Sequence, residues 1–147
     1  MQVVRSYKIR GAYNFMSQLN AAQKKKGVVC SSAGNHAQGF AMSCSLLKIK
    51  GTVFMPVTTP KQKVSAVERL GKKYVEIILS GDTYDDAKNA ALKFVQKENK
   101  IFVSPFDHKL IIEGQGTVAA EILEQIGKKK IDYIFVPIGG GGLAAGV

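Results

Sequence analysis

Cysteine is scarce in this chain of 147 residues: Cys30 and Cys44 are the only two, and neither falls in a CxxC pair or at a Cys/His ligand spacing. Such usage excludes a disulfide framework and a thiolate metal cluster, and it leaves both thiols as small buried apolar residues of a reducing compartment. Long apolar runs are missing too. None approaches the ~20 residues of a membrane helix, and the N-terminus lacks the apolar core of a secretory signal. The expectation is a cytoplasmic protein with no membrane partner. Tandem repeats and low-complexity tracts are likewise absent. Acidic residues are few, 11 against 21 Lys and Arg, for a formal charge of +10 at pH 7. That excess invites a nucleic-acid reading, yet no aromatic residue interleaves Lys24-Lys25-Lys26 or Lys128-Lys129-Lys130 as a base-stacking surface requires. Both runs sit where helices should stop, beside Gly27 and Gly127, and cations there complement the helix dipole. No nucleic-acid partner is expected.

What the chain does have is alternation. With 46% hydrophobic residues it can build a domain of ordinary size. Ala12, Phe15, Met16 and Leu19 recur at helical spacing up to the first lysine run, and Val28-Val29-Cys30 reads as a short strand. Ala37, Phe40, Ala41, Cys44 and Leu47 form a second helical stripe before the strand Thr52–Pro56. Thr59-Pro60 reads as an N-cap with proline at the first helical position, followed by Val64, Val67 and Leu70. Tyr74–Leu79 is strand-like, Ala87, Ala91, Phe94 and Val95 mark a helix, and Ile101-Phe102-Val103 is a strand closed by Pro105. A further helix carries Val118, Ala119, Ile122 and Ile126, and the apolar run Ile131–Ile138 reads as one more strand. Strands alternating with helices of this length predict an open parallel sheet with helices on both faces, an α/β fold.

Three motifs interrupt this pattern with chemistry. Lys8, in Ser6-Tyr7-Lys8-Ile9-Arg10-Gly11-Ala12, has apolar neighbours that favour the neutral amine needed to attack an aldehyde. Ser31-Ser32-Ala33-Gly34-Asn35-His36 crowds hydroxyls, an amide and bare backbone into one turn between a strand and a helix, suited to holding carboxylate or phenolic oxygens. Gly139-Gly140-Gly141-Gly142 follows a strand-like run and precedes Leu143-Ala144-Ala145, the arrangement of an anion loop. In an open α/β sheet ligands bind at the carboxyl ends of the strands, and both turns occupy that end. Gly140–Ala145 also fits G-x-G-x-x-A, a dinucleotide-binding pattern, but its acidic ribose partner ~20 residues on would lie beyond residue 147.

Lysine, Ser/Asn turn and glycine loop, in this order, resemble the serine/threonine dehydratase family of fold-type II pyridoxal phosphate enzymes, whose architecture is tryptophan synthase β-like. The resemblance runs over essentially the whole chain. It implies pyridoxal 5'-phosphate as cofactor, bound by Lys8, Asn35, Gly139, Gly140, Gly141, Gly142 and Leu143. Lys8 would be the catalytic residue, Ser32, Ala33, Gly34, Asn35 and His36 would bind the substrate, and no metal is implied. The implied activity is an ammonia-lyase elimination that turns L-threonine, and L-serine, into 2-oxobutanoate or pyruvate and ammonia. Such chemistry belongs to amino-acid metabolism, with isoleucine biosynthesis as its setting. Alternatives are a serine racemase or another fold-type II enzyme, or a non-catalytic truncated piece. Alanine at position 33, where serine racemases carry a hydroxyl residue, favours elimination. Phe106-Asp107-His108 and Glu113–Thr117 match the family's wording as well, with His108 open between a helix-start role and a pocket role. The family pattern further implies a small domain over residues 30–106, a partial large domain over 1–29 and 107–147, and a homo-oligomer in the full-length protein, of which this chain would be a fragment.

Overall fold

Short runs of β-branched and aromatic residues, each followed by an amphipathic helix, become four parallel strands. The computed structural model describes residues 2–147. Its sheet has the order β3-β2-β1-β4, built from β1 (Val28–Ser31), β2 (Gly51–Met55), β3 (Val75–Leu79) and β4 (Ile101–Phe102). Val28 of β1 pairs with Gly51 of β2 on one side and with Ile101 of β4 on the other, and Gly51 pairs in turn with Val75 of β3. Period-two alternation divides the strand side chains between two helical layers. Val28, Cys30, Val53 and Met55 pack with Phe40, Ala41 and Cys44 of α3 (Asn35–Leu47) and Val67 of α4 (Lys61–Gly71). Val29 and Phe54 face the opposite way, onto Ala87 and Ala91 of α5 (Tyr84–Lys97).

Outside α3 lie α1 (Lys8–Ser17) and α6 (Lys109–Ile126), which pack against each other. Their approach depends on absent side chains. A methyl group built on Gly39 of α3 would lie 2.8 Å from the Ile9 nitrogen, and one on Gly114 of α6 would lie 2.6 Å from the Arg10 carbonyl oxygen. Backbone meets backbone at both crossings. Around them Phe15, Met16 and Ile111 are buried, each worth about 1.5–3 kcal/mol. The Arg10 guanidinium donates to both Glu121 carboxylate oxygens, at 2.6 and 2.7 Å, and holds that carboxyl below the ordinary range. Lying in water and screened by salt, this pair sets the register of the two helices more than their stability.

Some sequence expectations change. Of the stripe from Ala12 to Leu19, the first three residues lie in α1 and Leu19 falls in the turn after it, because the chain breaks there and Asn20 starts a second helix, α2 (Ala21–Lys26), with a capping box to Gln23. Pro60, with Thr59 outside the helix, caps α4, and the Thr59 hydroxyl is buried without a partner. Tyr74 closes a 3-10 turn, Lys72–Tyr74, ahead of β3. The largest change is at Ile131–Ile138, which forms no strand: among the described residues nothing pairs with it, and Tyr133, Phe135 and Ile138 are 82, 93 and 76% exposed. A β-run needs a neighbouring strand edge for its backbone, and the edges of this sheet are β3 and β4, which do not reach it.

One buried side chain ties α3 to β4. His36, 3% exposed, donates from Nε2 to the Val103 carbonyl at 3.1 Å, and the Val103 amide donates to the Val29 carbonyl at 2.8 Å. Burial pushes the imidazole down to about 4 from 6.5, the charge of Lys8 acts in the same direction, and the bond to Val103 opposes both. His36 is neutral in the folded protein at pH 7.

Replacing Gly114 with alanine is expected to cost about 1–3 kcal/mol by overpacking, because the clash is with rigid backbone. Gly139→Ala, where no atom lies within 4 Å of the added methyl, should leave denaturant midpoints unchanged. Equal midpoints for both variants would show that the α1–α6 crossing tolerates a side chain. For His36, the unfolded chain takes up a proton near pH 6.5 and the folded one only near 4. Stability is therefore complete above 6.5 and falls as pH drops towards 4, with a slope of at most about 1.4 kcal/mol per pH unit. Urea melts across that window should show this slope in the wild type and its loss in His36→Gln.

Candidate active site

In this sheet the chain leaves β1 through α3 to reach β2 on one side, while β4 lies on the other side of β1. The two connections diverge, and in open α/β sheets the ligand crevice lies at such a point, here beyond the carboxyl ends of β1 and β4. From β1 comes the turn Ser31-Ser32-Ala33-Gly34, and from β4 the segment Val103-Ser104-Pro105-Phe106.

Lys8 reaches this crevice from the first turn of α1. Its Nζ donates to the Pro105 carbonyl at 2.6 Å, and it lies 5.5 Å from the centre of the Tyr7 ring. The side chain is half-buried, and desolvation holds its amine below the ordinary lysine value. Gly39 is what lets the Lys8 backbone sit this deep: a methyl there would lie 3.0 Å from the Lys8 carbonyl carbon.

The Ser/Asn turn meets the same crevice. Gly34 caps α3 and no side chain closes that helix end, so by helix geometry the N–H groups of Asn35, His36 and Ala37 have no partner within the helix. The Gly34 amide is already used, donating to the Ser32 hydroxyl at 3.2 Å. Asn35 is exposed, Ala33 half-buried. The His36 side chain points into the core and only its backbone amide faces outward with the turn, so its imidazole is not a ligand-binding group here. Two buried polar atoms near the strand ends, Ser31 Oγ and His36 Nδ1, have no partner.

Gly139, Gly140, Gly141 and Gly142 lead into the short α7 (Gly142–Gly146), with Gly141 at φ +82°. The loop lies on Phe106, the residue after the Lys8 acceptor Pro105: a methyl on Gly140 would strike the Phe106 ring, and one on Gly142 would lie 2.7 Å from the Phe106 carbonyl. Gly139 and Gly141 are open on their far side, with nothing within 4 Å. Leu143 is half-buried behind the loop. The helix α7 is seated on α6, where a methyl on Gly116 would lie 2.6 Å from the Gly146 carbonyl oxygen. Lysine, turn and loop are thus brought to one end of the sheet.

His108 is a helix cap. Its Nδ1 accepts from the Leu110 amide at 3.1 Å and its ring stands edge-on to Phe15 at 4.7 Å. Gln115, from the motif Glu113–Thr117, is buried and accepts at Oε1 from the Gly11 amide at 3.2 Å, locking α1 to α6. The carbonyls of Val103 and Pro105 and the ring of Phe106 were not foreseeable as parts of the site from residue type. The sequence signals are the proline shortly after β4 and the match of Phe106-Asp107-His108 to the family's wording.

This donor set fits pyridoxal phosphate. A half-buried amine of reduced basicity suits an aldehyde, and bare glycine backbone, packed on Phe106 at Gly140 and Gly142 and open at Gly139 and Gly141, suits a phosphate. Among the described residues no group of three or more metal-ligating side chains occurs.

Comparison with known proteins agrees with the geometry. The family described as pyridoxal-phosphate dependent enzyme matches residues 1–147. Biosynthetic L-threonine dehydratase of Halalkalibacterium halodurans is 54% identical over 147 residues, covering 100% of this chain and 35% of that protein. The Bacillus subtilis counterpart is 52% identical with the same coverage. Among solved structures, the processed form of threonine deaminase isoform 2 from Solanum lycopersicum superposes with a TM-score of 0.93 at 45% identity, covering 99% of this chain and 39% of that one. Maize serine racemase gives 0.90 at 36% identity, over 98% of this chain and 42% of that one. The chain spans about a third of the length of the curated relatives it matches. A fold-type II α/β sheet, a half-buried lysine at its carboxyl end and a family match over every residue lead to one conclusion: this chain belongs to the pyridoxal-phosphate dependent enzyme family.

Proposed function

We propose that this chain is the lysine-bearing part of a threonine dehydratase, an ammonia-lyase that removes water from L-threonine, and from L-serine, and releases 2-oxobutanoate or pyruvate with ammonia. The observation that carries the reading is the half-buried Lys8, its basicity lowered by desolvation, held at the Pro105 carbonyl one residue before Phe106, on which the glycine loop lies. The names of the relatives at 54 and 52% identity support the same reaction and a biosynthetic role leading to isoleucine.

Pyridoxal phosphate supplies an aldehyde for the lysine and a ring that takes up negative charge as Cα loses its proton. Gly139, Gly140, Gly141, Gly142 and Leu143 would hold its phosphate through backbone N–H groups, and the Asn35 amide would bind its phenolic oxygen. The turn Ser32, Ala33, Gly34, Asn35 and His36 binds the substrate carboxylate, the free amides at the start of α3 providing the charge. Lys8 takes the Cα proton as general base, its lowered basicity keeping a share of the amine neutral. The β-hydroxyl leaves as water, and hydrolysis of the remaining enamine liberates ammonia. Ala33 offers no proton to the far face of Cα, which favours elimination over racemisation.

Residues 30–106 form a small domain in this reading, and 1–29 with 107–147 belong to a larger one. Exposed Tyr133, Phe135 and Ile138 support this, since they present a strand-like apolar run with no partner here. The full-length protein works in the cytoplasm as a homo-oligomer. No helix among the described residues is long and apolar enough to cross a membrane.

Borohydride reduction of the full-length protein, followed by peptide mapping, should place a phosphopyridoxyl group on Lys8. Lys8→Ala should lose both the label and turnover, the latter by ~10²–10⁴-fold. A label on another lysine would refute the assignment. In the same full-length protein Ala33→Ser should raise D-serine formation relative to pyruvate, and an unchanged ratio would remove position 33 from control of the outcome.

A further inference from the structure

A lysine stands just before every strand of the sheet: Lys26 two residues ahead of β1, Lys50 one ahead of β2, Lys73 two ahead of β3, and Lys100 one ahead of β4. Parallel strands ~4.8 Å apart bring these four to one rim in the order Lys100, Lys26, Lys50, Lys73. This is the amino-terminal rim, at the opposite end of the sheet from Lys8. They are close neighbours. Lys50 Nζ donates to the Lys73 carbonyl at 2.9 Å, and Lys100 Nζ to the Lys26 carbonyl at 3.4 Å. A methyl built on Gly27, between them, would lie 3.0 Å from the Lys50 carbonyl oxygen and 3.3 Å from Lys100 Nζ.

Carboxylates do not balance this row. Among the described residues the ion pairs are Arg10–Glu121, Lys109–Glu113 and Lys130–Asp132, and none involves a rim lysine. Lys50, Lys73 and Lys100 line a cavity of about 190 Å³ in which Glu76 is the only acid. An ammonium has three donors, and each of Lys26, Lys50 and Lys100 spends one on an uncharged oxygen. The Lys73 ammonium makes no hydrogen bond and lies 5.6 Å from the Tyr74 ring centre, with Lys50 5.8 Å from the same ring.

Adjacent cations repel unless a multiply charged anion bridges them. A phosphate chain has several charged oxygens at close spacing and matches a short row of ammonium groups. Base recognition would need an open aromatic face, and both rings beside the rim are taken: Tyr74 is flanked by Lys50 and Lys73, and Phe94 carries Lys100 at 5.8 Å and packs against Phe54. We propose that the amino-terminal rim, centred on Lys50, Lys73 and Lys100, binds an oligophosphate chain, either inorganic or the tail of a nucleotide. This is independent of the reaction assigned to Lys8.

Titration calorimetry on the full-length protein at ~0.15 M ionic strength tests it with tripolyphosphate, ATP and inorganic phosphate. Tripolyphosphate and ATP should bind within about threefold of each other, inorganic phosphate more weakly, and all more weakly as salt rises. Lys50→Gln with Lys100→Gln should weaken tripolyphosphate at least about tenfold, the size expected when a charge-assisted contact is lost. Lys73→Gln, whose ammonium has no structural bond, serves as the second variant should the pair disturb folding. Lys61→Gln with Lys63→Gln, an equal charge change on exposed residues at the start of α4, beyond the carboxyl end of β2 and so at the opposite end of the sheet, should bind as the wild type does. Absence of tripolyphosphate binding, undiminished binding in both rim variants, or equal weakening in the Lys61/Lys63 variant would overturn the proposal. A preference for ATP above tenfold would overturn the phosphate-only recognition.

Discussion

Backbone contact between helices, with no side chain in between, is the constraint on which the rest of this structure depends. Gly39 admits the start of α1 against α3, Gly114 admits α6 against α1, and Gly116 admits α7 against α6. Each contact carries one part of the site: the first seats Lys8, the second fixes the helix that seats it, and the third seats the glycine loop. Interiors are packed too tightly for these crossings to yield gradually. The positions of amine and anion loop are consequently set by helix packing well outside the crevice, with Gln115 and the Arg10–Glu121 pair holding the register.

Electrostatics at the two ends of the sheet run in opposite senses. At the carboxyl end charge is suppressed: the Lys8 amine is half-buried and its basicity reduced, and His36 is neutral beside it. Neutral His36 also serves as a strut, since its bond to Val103 anchors the strand whose next-but-one carbonyl, Pro105, receives Lys8. Protonating that imidazole would put a second cation near the amine. At the amino end charge accumulates instead, on flexible lysines that stay in water, where cations are tolerated at little cost.

Exposure of Ile131–Ile138 shows how a strand can be encoded without being formed. Its composition is that of a buried strand, and the chain spans about a third of the length of the curated relatives it matches. Apolar period and β-branching are local properties. Ladder formation is not, because it needs another edge at 4.7–4.9 Å.

From the sequence alone came the α/β class, the parallel order of strands and helices, and the three motifs, because apolar periodicity, glycine placement and residue chemistry are local and survive without coordinates. Lys8 and the glycine loop were legible for that reason. Tertiary structure alone decided that the imidazole of His36 faces the core, that His108 caps α6, and that Pro105 and Phe106 link the amine to the loop. It also decided that lysines scattered over 74 positions from Lys26 to Lys100 share one rim. In each case the partner lies far along the chain, and only the order of strands in the sheet brings it near.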